Sequence, residues 1–287
     1  MVIYNPKDWW KLIFTLHKSD TFRMMLPGIL GVAMFTGLVA YMENDVFHVT
    51  FKNTTAIHAL VGFVLSLLLV FRTNTAYDRW WEGRKLWGSF VNNSRNLALK
   101  LSALDLTKNE KLLFLNLISN YIYACKEHLR GTLSVENLSL NEKYNVEYFN
   151  NVLHIPNKLM KAIYHEVNQL YVDKRISGEQ LLFINEELKS FTDNLGACER
   201  IKKTPIPYSY SLYLKKIIFI YVFTMPIGFV VEFGYWAMPI VAMIFYVFGS
   251  IELLAEEIED PFGLDPNDLP TDQISETIKE NLSEILL

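Results

Sequence analysis

His58 to Trp81 reads HALVGFVLSLLLVFRTNTAYDRWW. Its first half is apolar enough for a lipid bilayer and its second half is polar, basic and aromatic. Neither Pro nor Gly stands at the join between Phe71 and Arg72. With no breaker there, one helix is predicted to run from lipid into water without stopping. Phe63, Leu67 and Phe71 recur every four residues, and Asn74 and Asp78 continue the series. At 100° per residue these side chains fall within an arc of about 80°. The stripe is apolar in the membrane half and polar below it. Ordinary helix packing gives the same spacing, so periodicity alone does not separate a packing face from a functional one.

The rest of the chain supports a membrane setting. Half of its 287 residues are apolar (51%), 14% are aromatic, and mean hydropathy is +0.15. These values exceed those of an average soluble protein and suggest a membrane part joined to a water-exposed part. Four apolar runs stand out: Met24 to Met42, Ala56 to Phe71, Ile217 to Val231, and Phe233 to Ile251, the last two separated only by Glu232. A span needs roughly 20 residues, with about 17 tolerated. The first and last runs qualify alone, and the shorter two continue into polar sequence as helices.

The bases set the expected topology. Lys7, Lys11, Lys18 and Arg23 precede the first run; Arg72, Arg79, Arg84 and Lys85 follow the second; Lys202, Lys203, Lys215 and Lys216 precede the third. The connector Glu43 to Asn53 is acidic apart from Lys52. By the positive-inside rule both termini and the middle of the chain are cytoplasmic. The predicted organisation is an N-terminal interfacial segment over 1–23, with Trp9 and Trp10 beside its lysines; two spans over 24–71; a helical cytosolic region over 72–214; two spans over 215–251; and an acidic segment over 252–287. From Glu252 to Glu284 there are eleven acids and a single base, Lys279, within a chain of net charge −4. The bases flank apolar runs as membrane anchors do, so nucleic acid is not an expected partner.

The cytosolic region reads as helical. Asn109 to Arg130 has helical apolar spacing and ends at Gly131; Ser177 to Leu195 opens with a Ser cap and is predicted to stop at Gly196. Leu133 to Asn157 reads as a loop with at most a short helix.

Catalytic constellations are missing from the sequence: it contains no HExxH, GxSxG, Walker loop or GxGxxG. Cys125 and His128 lie one helical turn apart, which reads as a buried thiol beside a polar helix face, because a metal site needs more ligands. With Cys198, the two cysteines read as free thiols. His58 reads as an interfacial or packing residue, and Glu232 as the cap of a tight extracellular turn. No catalytic residue, cofactor or metal is expected.

A monomer with four spans, one interrupted by Pro226 and Gly228, is thin for a transport path. A symmetric oligomer solves the difficulty by lining an axial pore with the second span of each subunit. Rings of Phe and Leu would then form a constriction that can dewet, with Asn74 and Asp78 lining a wetter vestibule.

Three segments carry a resemblance: Arg79-Trp80-Trp81-Glu82-Gly83-Arg84-Lys85, Glu199-Arg200-Ile201 through Thr204-Pro205-Ile206-Pro207, and Glu256-Glu257-Ile258-Glu259-Asp260-Pro261-Phe262-Gly263. Together they resemble the bestrophin family, in its bacterial branch; only Leu133 to Arg175 carries nothing that matches. The resemblance implies an all-α membrane protein of the bacterial inner membrane, a homopentamer around one axial pore. It implies a neck at Phe63, Leu67 and Phe71 and a narrower cytosolic aperture, placed at Leu181 with Ile176 and Glu179 as rivals. The family's calcium clasp would fall at Asp260, Asp265 and Asp268, but Leu264 and Pro266 interrupt the run of acids, so metal binding there is not expected. The expected partners are the chain itself, membrane lipid and permeant ions. Animal members conduct anions, whereas Asp78 and the acidic C-terminal segment concentrate cations. The residues therefore lean towards monovalent cations (Na+ or K+), with chloride as the alternative. A membrane-anchored scaffold or enzyme is the reading from another class.

Overall fold

The computed structural model describes residues 20–48 and 54–287. The expected interfacial segment with Lys7, Trp9, Trp10, Lys11 and Lys18 lies outside them, as does Lys52 of the connector. Among the described residues all regular structure is helical: α1 Asp20–Tyr41, α2 Thr54–Ser102, α3 Lys108–Arg130, α4 Ile155–Val172, α5 Gly178–Lys203, α6 Tyr208–Thr224, α7 Pro226–Phe233, α8 Ala237–Glu259 and α9 Thr271–Leu286, with short π and 3₁₀ turns between them. They form two compact units. One holds the described residues up to Arg79 together with Pro205–Glu259; the other holds Trp80–Thr204 and Asp260–Leu287.

The helix predicted to run on without a break does so. Helix α2 has 49 residues, about 74 Å at 1.5 Å per residue, and the boundary between the units falls within it. Three helical stretches are long and apolar enough to cross a membrane: Thr21–Phe47, Thr55–Ser102 and Tyr208–Glu259. The third stretch contains both of the last two apolar runs of the sequence. Pro226 opens α7 directly after α6, and Gly234 takes a positive φ of 52° before the turn into α8. Proline lacks the N–H that would continue α6.

In the first unit, Leu65 and Leu69 of α2 pack with Leu214, Ile218 and Val222 of α6 and Val241 of α8. A buried charge lies beside this core. Arg72 is 1% exposed; its Nη2 is 2.7 Å from Glu259 Oε2 and its Nε 3.6 Å from Glu252 Oε2. Glu259 also accepts the Ile206 backbone N–H at 2.6 Å through Oε1, and its carbonyl accepts Arg79 Nε–H at 3.0 Å.

In the second unit, Trp87, Phe90, Phe114, Tyr121, Phe191 and Ile163 build a core shared by α2, α3, α4 and α5. Thr107 and Glu110 form a reciprocal capping box at the start of α3, and Gly131 ends it with φ 76°, a left-handed position glycine adopts without strain. The predicted stop of α5 at Gly196 is corrected: the helix continues to Lys203. An interior glycine costs about 1 kcal/mol relative to alanine, and burying Cys198 and Ile201 beyond it outweighs that. The helix ends instead just before Pro205, which disfavours the α conformation in the residue ahead of it. The segment read as a loop holds two 3₁₀ turns, Val135–Asn137 and Val146–Phe149, before α4 begins at Ile155.

Two predictions follow from these contacts. Arg72→Met would leave Glu252 and Glu259 buried without their cation, so a loss of about 3–5 kcal/mol is expected, read as a lowered thermal midpoint in detergent. The second concerns acid. The Arg175 guanidinium holds the Glu110 carboxyl down from 4.5 to about 2, and Arg130 and Lys126 hold Asp272 below the usual carboxylate range. A depressed carboxyl contributes stability above its unfolded value and loses it as pH falls through the folded one. The midpoint should therefore drop as pH is lowered from about 4.5 towards 2, and Arg175→Ala should flatten that dependence.

Candidate functional site

Helix α2 places the stripe. The residues it buries nearby, Leu65, Leu69, Arg72 and Ala76, centre about 180° around the helix from the arc of Phe63, Leu67, Phe71, Asn74 and Asp78. With the opposite face held by the core and by the Arg72 ion pairs, the stripe is turned outwards. Phe63 is 63%, Leu67 45% and Phe71 64% exposed, and Asn74 and Asp78 are exposed as well. Among the described residues the stripe is therefore left largely exposed, outside the core of its unit. Its apolar part has no charge with which to select an ion; Asp78 is the acid on its polar continuation.

Of the expected aperture residues, Leu181 is half-buried near the start of α5, Ile176 is buried in the core of its unit, and Glu179 is exposed. His58 is a packing residue: Nε2 is 3.3 Å from Thr224 Oγ1, and the ring lies against Tyr221 and Phe229. Glu232 accepts a hydrogen bond from Thr55 Oγ1.

The sequence motifs meet in the second unit. Trp80 Nε1–H donates to the Asn267 carbonyl at 2.9 Å, and a Cβ on Gly83 would come within 3.1–3.2 Å of Pro261 and the Phe262 ring. Glycine at 83 thus lets the Pro-Phe-Gly turn close on α2. Arg200 pairs with Glu82 at 2.5 Å, and Lys202 with Asp260.

The clasp positions are engaged in local contacts. Asp260 carries the Lys202 ammonium, Asp265 is exposed, and Asp268, 1% exposed, accepts the Asp265 backbone N–H at 2.7 Å through Oδ2. Calcium takes six to eight oxygens; of these three carboxylates, Asp260 is engaged by Lys202 and Asp268 by the Asp265 N–H. Micromolar to millimolar calcium should accordingly leave conductance unchanged in a planar bilayer, and Asp268→Ala should lower thermal stability without creating calcium sensitivity.

The acidic segment is extensively compensated. Glu252 and Glu259 face Arg72, Glu256 pairs with Lys215, Asp260 with Lys202, and Asp272 with Arg130 and Lys126. A count of acids along the sequence overstates the field they project.

One cluster escaped the sequence reading. His128 Nε2 and His154 Nε2 each lie 2.7 Å from Glu199 Oε1. Local spacing pairs His128 only with Cys125; the partners that complete the group come from 26 and 71 positions away. The Glu199 carboxyl sits below its usual range because the bonds from His154 and His128 outweigh the opposing effect of burial. The neighbouring thiols are buried and inert: burial pushes Cys198 up to about 12 and Cys125 well above its ordinary value.

Comparison with known proteins identifies the family and the fold. The family model described as "Bacterial/Fungal Bestrophin protein" matches residues 1–284, including the stretch from Leu133 to Arg175 that carries no recognisable motif. A voltage-dependent anion channel-forming protein of Nostoc is 37% identical over 288 residues, covering 97% of this chain and 92% of the relative. A protein of the same description from Synechocystis is 39% identical over 233 residues, covering 78% and 75%. A crystal structure of a bacterial bestrophin homologue from Klebsiella pneumoniae superimposes with a TM-score of 0.83 at 26% identity, covering 91% of this chain and 98% of that one.

Proposed function

The chain belongs to the bacterial and fungal bestrophin family and is a membrane ion channel of that type; from this premise we propose that five copies surround one axial pore whose neck is built from Phe63, Leu67 and Phe71. The observation that carries the reading is the outward apolar stripe of α2, set opposite the face that packs and continued by exposed Asn74 and Asp78. A pore wall passing from a dry neck into a wet vestibule would show this change from apolar to polar side chains along one face. Leu181 of each copy forms the cytosolic aperture. The bases flanking the apolar runs support insertion in the inner membrane with both termini in the cytoplasm.

The permeant ion in this reading is an anion. The sequence leaned towards cations because of the acidic C-terminal segment, but five of its acids are spent on ion pairs, and the relatives are described as anion channel-forming proteins. The cation alternative keeps one specific support, the exposed Asp78 on the pore-facing stripe.

Purified protein in a planar bilayer should give single-channel currents, with a particle mass near five subunits of 33.4 kDa each. A monomer without current would return the chain to the scaffold or enzyme reading. Leu67→Ala and Phe71→Ala should widen and wet the neck and raise flux; if neither changes conductance or open probability, the neck is misplaced. Reversal potentials in asymmetric KCl should move towards the chloride equilibrium potential. A shift towards potassium that Asp78→Asn abolishes would establish cation selection at Asp78.

A further inference from the structure

We propose that His128, His154 and Glu199 form a site for a divalent transition metal of the zinc type in the unit that holds α3, α4 and α5. The three residues come from separate elements: His128 from the last turn of α3, His154 from the position preceding α4, and Glu199 from the C-terminal part of α5. Their donor atoms all lie within 4.8 Å of one another, and no other group of three such ligands gathers among the described residues. The imidazole rings are 4.5 Å apart between centroids and tilted by 50°, so both Nε2 atoms converge on one carboxylate oxygen.

The geometry is close to that of a loaded site. Zinc binds imidazole nitrogen and carboxylate oxygen at about 2.0–2.2 Å. In a tetrahedral arrangement the donors would stand roughly 3.3–3.5 Å apart, so the present 2.7 Å separations between each Nε2 and the carboxylate oxygen need to open by about 0.6–0.8 Å. Two imidazoles and one carboxylate suit zinc, nickel or copper, while calcium and magnesium prefer an oxygen set. All three side chains are half-buried, which shelters an ion from bulk water. The second carboxylate oxygen has Lys203 Nζ at 3.7 Å, which steadies the glutamate without occupying the site.

Metal binding has a defined local consequence. The Asn157 backbone N–H donates to His154 Nδ1 at 3.1 Å, so in the metal-free chain the proton of that ring sits on Nε2 and is shared with Glu199. Coordination through Nε2 requires the other tautomer, with the proton on Nδ1 and the Asn157 N–H turned to water. The ion replaces three hydrogen bonds, the Asn157 cap included, with three coordination bonds and ties α3, α4 and α5 together.

The test uses the full-length channel stripped with EDTA and titrated with zinc by calorimetry, alongside thermal unfolding. One zinc per subunit should bind, raise the thermal midpoint, and resist competition by excess calcium or magnesium. His128→Gln and His154→Asn should each weaken that binding at least about tenfold, since even residues behind the ligands cost 10–100-fold; Asn at 154 retains an oxygen to cap α4. The zinc-free midpoints of the variants report whether they fold, and the zinc-induced rise should be lost in both. Absence of zinc binding by the unaltered chain would overturn the proposal and leave a hydrogen-bonded staple. So would zinc binding that persists unchanged in both variants, or equal affinity for calcium.

Discussion

Arg72 is a guanidinium placed inside an otherwise apolar helix face, and burying it requires negative partners on the neighbouring segment. An unpaired buried charge is far costlier than any single packing contact, so Glu252 and Glu259 must lie opposite it on α8. This requirement sets the rotation of α2 about its own axis. The face carrying Leu65, Leu69, Arg72 and Ala76 turns inwards, and Phe63, Leu67 and Phe71 are turned outwards as a result. Glu259 extends the constraint by receiving the Ile206 N–H ahead of α6 and by offering its carbonyl to Arg79. One carboxylate thus links the lower part of α2, the approach to α6 and the end of α8.

The family motifs take on physical meaning in the same way. Trp80, Gly83 and the Pro-Phe-Gly turn belong together because the turn packs on a helix that must lack a side chain at position 83. Asp268 serves that turn from within: its carboxylate receives the Asp265 N–H where a calcium-binding loop would hold an ion. The acids of the C-terminal segment are likewise mostly structural. Once Arg72, Lys215, Lys202, Arg130 and Lys126 are placed beside them, the net field is weaker than composition implies, and the argument for cations loses its main support.

Sequence alone determined the features that follow from local composition and period. Hydropathy marked the apolar runs, the missing breaker after Phe71 marked α2 as one long helix, and Gly131 marked the end of α3, because caps and periodicity are properties of neighbours along the chain. The 100° spacing singled out the stripe. It could not say whether the stripe packs or faces outwards, since that depends on which side of α2 the distant Glu252 and Glu259 claim. Gly196 was a plausible stop signal that the burial of Cys198 and Ile201 overrode. The pairing of acids with bases, and the meeting of His128, His154 and Glu199, were decided only by tertiary structure: they join residues on separate helices, and their energies depend on distances through space that no pattern along the chain encodes.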